Sequence, residues 1–329
     1  MNRIQYYLKI KAWNYFLVCS GLILFLYSCS VRKYIPEDKN LYTGAELKIV
    51  SDTIIKNEED LKTVLEGVLQ PEPNSKFLGM RPGLYFYYKN QKEKPGFINR
   101  WLYKQFGEEP VYQEDVEPLE VEELLINRLE NRGFFYSNAT SEVNFNEDAR
   151  ESSMDYTVYV EPPYRMETYQ LDTLSPPIYK EIQDLVKTSK FFKGMRFDLS
   201  NFKIERQRMD NELKLRGYYN FNPTFLIFET DTNQYKNKRF DLYLSLKDQV
   251  PKKALKPYKI NRINVYADYD LDKDPISKEG SVYDSIYYIQ DQDPIYFKPK
   301  HLDPFITLQP GQLSTPLTSK NTSRRLSTL

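Results

Sequence analysis

Cysteine is almost absent: the 329 residues contain two, Cys19 and Cys29. Both lie near the N-terminus, so neither a disulfide framework nor a thiolate metal site is expected in the rest of the chain. Histidine is scarcer still, with His301 as the single copy. A Ser-His-Asp or Cys-His relay would have to use it, yet no Gly-x-Ser-x-Gly motif accompanies it. A structural or exposed role is expected for that residue. Glycine numbers 12, none in Walker or dinucleotide spacing, which leaves no phosphate-cradling loop. Enzymatic activity, a cofactor and a bound metal are therefore not expected. Charge of one sign is not in excess either, with Lys plus Arg and Asp plus Glu at 46 each. A balanced chain lacks the basic footprint of a nucleic-acid binder. The one apolar run, 16–27, is broken by Ser20 and Gly21. It is shorter than the ~20 residues of a transmembrane helix.

That run has the proportions of a secretory signal. Arg3, Lys9 and Lys11 precede it, before any acidic residue. Leu26-Tyr27-Ser28-Cys29 ends it in the shape of a lipobox: aliphatic, tolerant, small, then a thiol. Residues 1–28 are read as a lipoprotein signal peptide and Cys29 as the acylated first residue of an exported bacterial protein. Positions 29–44 are read as a tether. Two or three acyl chains, each buried methylene contributing ~0.8 kcal/mol, hold such a protein to a membrane.

The 28 tyrosines and 19 phenylalanines, with frequent alternation, favour strands over a helical bundle. A repeat organises them. Asn127-Arg-Leu-Glu-Asn-Arg-Gly133-Phe-Phe135 returns as Asn211-Glu-Leu-Lys-Leu-Arg-Gly217-Tyr-Tyr219. At the same offset Tyr156-Thr-Val-Tyr-Val160 matches Phe240-Asp-Leu-Tyr-Leu244. Val121, Leu124, Leu125 and Leu129 share one helix face, as do Phe202, Met209 and Leu213. Gly133 and Gly217 suit a left-handed helix end, and Arg132 and Arg216 suit the carbonyl end of the dipole. An aromatic pair then opens a strand.

The order predicted is strand, helix, helix, strand, strand, an α+β module with helices on one face of a small mixed sheet. Module one is placed at 45–162, with an insertion at 70–118, and module two at 163–250. Module three is placed at 258–329, with its first strand at 258–268 and Gly311 aligned with Gly194. It is expected to lack its last two strands, leaving 314–329 poorly ordered.

This pattern, with its Arg-Gly-aromatic-aromatic helix end, resembles the POTRA domain of the BamA/TamA family of outer-membrane assembly factors. Met80-Arg-Pro-Gly-Leu-Tyr-Phe-Tyr, the stretch from Gly96-Phe-Ile-Asn-Arg-Trp to Glu109-Pro-Val111, and Cys29-Ser-Val-Arg-Lys-Tyr-Ile-Pro36 resemble the TamL lipoprotein branch of Bacteroidetes-type bacteria. The resemblance covers the chain after the signal. It implies tandem POTRA-like modules, two complete and one truncated, and an outer-membrane, periplasm-facing location. Family members normally continue into a β-barrel, and no alternating ~10-residue segments follow module three here.

Each sheet edge exposes unpaired backbone groups, which take up an extended chain by β-augmentation. The edge expected is 221–228, with Phe221, Phe225, Ile227 and Phe228 as its residues, and 134–145 as its counterpart. Partners implied are unfolded outer-membrane protein clients and an inner-membrane-anchored bridge of the TamB type. Nucleic acid is not among them. The rival readings are a stand-alone periplasmic binding lipoprotein and a fragment of a truncated gene.

Two further features have plainer accounts. Asp268, Asp270, Asp272, Asp274 and Glu279 resemble a calcium loop, but Lys273 stands where such a loop requires glycine. An acidic loop closing a strand is expected. The segment 97–106 is amphipathic, with Phe97, Ile98, Trp101, Leu102 and Phe106 on one side and Lys94, Arg100 and Lys104 nearby. It is expected to close the core of module one, docking on a membrane or a partner being the alternatives.

Overall fold

A computed structural model describes residues 31–172, 178–269, 280–290 and 297–329. Cys29, the leader and most of the acidic loop (Asp270, Asp272, Asp274 and Glu279) lie outside the described residues. The chain divides into two compact units, 1–130 with 134–162, and 131–133 with 163–329.

The first unit runs β1 (Leu41–Val50), α1 (Glu58–Glu66), α2 (Pro82–Asn90), α3 (Phe97–Phe106), α4 (Pro118–Glu130), β2 (Asn138–Asn146) and β3 (Glu151–Tyr159). Its sheet has the order β1-β3-β2, with β1 parallel and β2 antiparallel to the central β3. Along β3, Ser152, Met154, Tyr156 and Val158 are buried and their neighbours are not, as a two-residue period requires. Leu61 and Leu65 of α1 and Val121, Leu125 and Leu129 of α4 pack onto that face. Leu124, expected among them, is 38% exposed. One residue away from Leu125 around the helix, it faces outward.

The second unit repeats the plan as β4 (Arg165–Leu171), α5 (Ile178–Lys187), α6 (Leu199–Leu215), β5 (Leu226–Asp231) and β6 (Arg239–Leu246), with sheet order β4-β6-β5. Ile178, Ile182 and Leu185 form the buried stripe of α5, and Phe202, Met209 and Leu213 that of α6. Asp198 caps α6 by accepting from the Ser200 N–H at 2.9 Å. The helix ends at Gly217, whose φ of +88° is the left-handed turn expected of it.

The same unit continues with β7 (Asn264–Tyr266), β8 (Ser281–Tyr283), β9 (Ile286–Ile289), α7 (Pro299–Leu302) and α8 (Pro316–Leu326). Here the structure departs from expectation. A three-stranded sheet, β7-β9-β8, is present, with a hairpin preceding the helices. Ile286, Tyr288 and Ile263 are its buried residues. The stretch 314–329 is largely helix, capped by Thr315, and its Thr322 hydroxyl accepts from the Thr307 N–H at 2.9 Å.

Two other boundaries differ. The supposed tether is folded from Arg32 onward: Ile35, Leu41 and Tyr42 are at most 3% exposed. Apolar side chains early in the segment find partners in the insertion, which spacing alone does not show. The strand expected from Phe134 begins at Asn138, because the Ser137 hydroxyl donates to the Phe134 carbonyl at 2.9 Å and closes a turn.

Candidate functional site

The first strands of the modules share a backbone staple. In module two Met166 N–H donates to Met195 O at 2.8 Å, Gly194 N–H to Met166 O at 2.7 Å and Phe197 N–H to Tyr164 O at 2.9 Å. In module three Ile260 donates to Gln312, Gly311 to Ile260 and Ser314 to Tyr258, at 2.8, 2.7 and 2.9 Å. In module one Tyr42 donates to Val111 at 2.9 Å and Gln113 to Asn40 at 3.0 Å. Pro110 stands where the other copies have glycine and has no N–H for the third bond. The outer side of β1 and of β4 is thus occupied where each begins, and in module three the bonds fall on the segment that leads into β7.

The opposite edges, β2 and β5, have no strand on their outer side among the described residues. On β5, Lys247 N–H donates to Phe225 O at 3.0 Å, so residues 227, 229 and 231 form the hydrogen-bonded pairs with β6. Alternation then turns the N–H and C=O of Leu226, Phe228 and Thr230 to the open side. The Arg206 guanidinium reaches the Leu226 carbonyl at 3.5 Å, at one end of this row. Glu229 and Thr230 are exposed.

Of the four residues expected on this edge, Ile227 and Phe228 are in β5, half-buried. Phe228 packs with Phe191, Phe202 and Tyr169 at ring separations of 5.2–6.1 Å. Phe221 and Phe225 are not in the strand. Phe221 is 2% exposed in the core, and Phe225 ends a 3-10 turn that Asn222 caps through the Thr224 N–H at 2.9 Å. Asn-Pro at 222–223 makes that turn, and the strand starts after it. The counterpart β2 is longer, and its distal Val143 and Phe145 are 37% and 56% exposed.

Charged groups in the second unit pair among themselves. Arg208 holds Glu205 through two 2.8 Å bonds, and its Nη2 also donates to the Leu185 carbonyl at 2.8 Å. Glu205 is only 4% exposed. Glu167 bonds Lys193 and, at 2.7 Å, Arg239; the bond from Lys193 holds its carboxyl below the usual range. Among the described residues no three His, Cys, Asp or Glu side chains converge as metal ligands, and no helix is long and apolar enough to cross a membrane. His301 is exposed on α7.

The insertion forms a built unit that residue spacing did not reveal. Arg81, 3% exposed, donates to the Asn74 carbonyl at 3.1 Å, and Asn74 Oδ1 accepts from the Val111 N–H at 2.9 Å. Glu108 bonds Ser75 and approaches Gly83 so closely that a Cβ there would lie 2.8 Å from its Cγ. That contact requires glycine in the Met80-Arg-Pro-Gly sequence. Helices α2 and α3 pack on each other, Tyr87 against Tyr103 at 6.0 Å. The outer face of α3 covers no core: none of its residues is buried. Closure of module one falls instead to α1 and α4, so the apolar side of α3 is left to solvent.

The architecture is that of a modular α+β chain whose first strands are stapled near their starts and whose β2 and β5 have no strand beyond them among the described residues. No protein-family model matches the chain, and no curated protein matches it. Among solved structures it is similar to the POTRA3-5 region of BamA from Haemophilus influenzae, at 11% identity and TM-score 0.37, covering 89% of this chain and 88% of that one. It is also similar to POTRA1-3 of Omp85 from Anabaena, at 11% identity and TM-score 0.28, covering 89% and 86%. A third is the N-terminal domain of Omp85 from Thermosynechococcus elongatus, at 10% identity and TM-score 0.27, covering 89% and 87%.

Proposed function

We propose that this chain is a membrane-tethered, POTRA-type scaffold of the periplasm that takes extended client or partner segments onto β5 and β2 by strand addition. The observation that carries the reading is the open row on β5: Phe228 and Thr230 turn their backbone N–H and C=O away from β6, with no strand beyond them among the described residues. Backbone pairing is tolerant of client sequence, as suits chains awaiting folding at a membrane. Acylation at Cys29 supplies the tether, and the outer membrane is its location. The clients are unfolded outer-membrane proteins, with a TamB-type bridge as a further partner, by the resemblance of the repeat, lipobox and insertion.

The test is Thr230→Pro in the full chain. It removes an outward N–H and leaves the bonds from 227, 229 and 231 to β6 in place. Photocrosslinking of a β-barrel strand peptide to β5 should fall at least about tenfold, with capture on β2 and the stability nearly unchanged. Unaltered capture on β5 would sink the proposal. Phe221→Ala is the control: it should cost about 3–5 kcal/mol of stability, with peptide affinity per folded molecule retained.

A further inference from the structure

We infer that the outer face of α3 lies on the surface of the membrane that holds the N-terminal segment. Phe97, Ile98 and Trp101 are 77%, 69% and 53% exposed, and they occupy one side of the helix. Arg100 and Lys104 flank them, and Lys92 and Lys94 are exposed in the preceding loop. Aromatic and aliphatic side chains bordered by cations are what an in-plane interfacial helix uses to enter the headgroup region of anionic lipid. Tyr103, half-buried, turns the other way, towards Tyr87 of α2.

The path of the N-terminus selects a membrane over another protein as the occupant. Val31 packs with Ile35, Leu41 and Leu84 of α2. Tyr34 stacks on Tyr88 at 5.8 Å and meets Tyr85 edge-on at 6.2 Å, and Lys89 lies 5.3 Å from the Tyr85 ring. The chain therefore enters the first unit at the α2–α3 hairpin. Cys29 precedes Val31 by two residues, a reach of about 7 Å, and the apolar run ends at Tyr27, within about 14 Å. Whether acyl chains or an uncleaved leader occupy the bilayer, so short a link brings this hairpin to its surface. The inference rests on that tether and is independent of strand addition at β5.

The experiment uses the full chain carrying Trp13→Phe, which leaves Trp101 as the sole indole. It is reconstituted in phosphatidylethanolamine–phosphatidylglycerol vesicles, with and without brominated acyl chains. Flotation with the vesicles reports the tether. Trp101 emission should shift to the blue, be quenched by the brominated lipid and become shielded from acrylamide. Phe97→Ser and Ile98→Ser should each reduce the docked population about tenfold. The protein should still float on its N-terminal tether. Trp101 as open to acrylamide on floated vesicles as in solution would overturn the inference. So would shielding without quenching by bromine, which would mean that a second copy or another protein covers α3. Unchanged Trp101 signals in the Phe97→Ser chain would overturn it as well.

Discussion

Gly194 donates its backbone N–H to the carbonyl of Met166 across 2.7 Å, with a φ of +87° that lets the chain fold back along the start of β4. Gly311 stands in the same relation to Ile260, at 2.7 Å and φ +82°. A methyl group on either glycine would meet nothing within 4 Å, so alanine there costs backbone strain alone.

Gly194→Ala is expected to lose about 1–2 kcal/mol, read from the midpoint of urea unfolding. Gly217→Ala should lose more, because its Cβ would lie 2.9 Å from Leu313 Cδ2 and 3.3 Å from the Tyr258 carbonyl. Its effect should also be regional, with faster amide exchange at Tyr258, Ile260 and Ser314. Equal losses in the two variants, without that regional signature, would contradict the packing described at Gly217.

Arg208→Met should destabilise by about 3–5 kcal/mol, since it strands the carboxylate of Glu205 away from water. It also removes the donor to the last turn of α5 at Leu185. Adding Glu205→Met should recover most of the loss, because two apolar side chains need no partner. Thermal unfolding of the four members of the cycle measures the coupling. Additive losses would mean that the pair is not a unit.

Burial pushes the Tyr156 hydroxyl up to about 12 from an ordinary 10.0, with Tyr42 and Glu122 adding to the effect. The hydroxyl is buried with no hydrogen-bond partner among the described residues. The neutral form is the one the fold retains, so this contribution is fully present below pH ~10. It is lost as the pH rises through about 12, by roughly 2–3 kcal/mol. Tyr156→Phe should be neutral or stabilising near pH 7, since it removes an unpaired polar atom. It should also flatten the alkaline limb of the stability profile. A profile of the same steepness in the variant would place the alkaline transition on other groups.

Much of this fold is legible along the chain. The α4 stripe of Val121, Leu125 and Leu129, the alternation of β3 and the glycines after α4 and α6 are local patterns, dictated by helix and strand periods and by the sterics of positive φ. From them follow the strand-helix-helix-strand-strand order of the first two modules and their α+β class. The aromatic pair at Tyr218 and Tyr219 shows where local reading stops. One ring is 6% and the other 59% exposed, a difference set by which side of the turn meets the core.

The choice among edges belongs to tertiary structure. Which side of β4 is covered depends on Gly194 and Met195 returning to Met166, a contact between residues far apart in sequence. The same is true of Phe221, whose aromatic character reads equally well as strand or core until the Asn222-Pro223 turn is in place. The exposed face of α3 is a further case: its amphipathic spacing is that of a core helix, and only the prior occupation of the core by α1 and α4 leaves it outside. Periodicity records which residues share a face. What that face meets is decided by the packing of the rest of the chain.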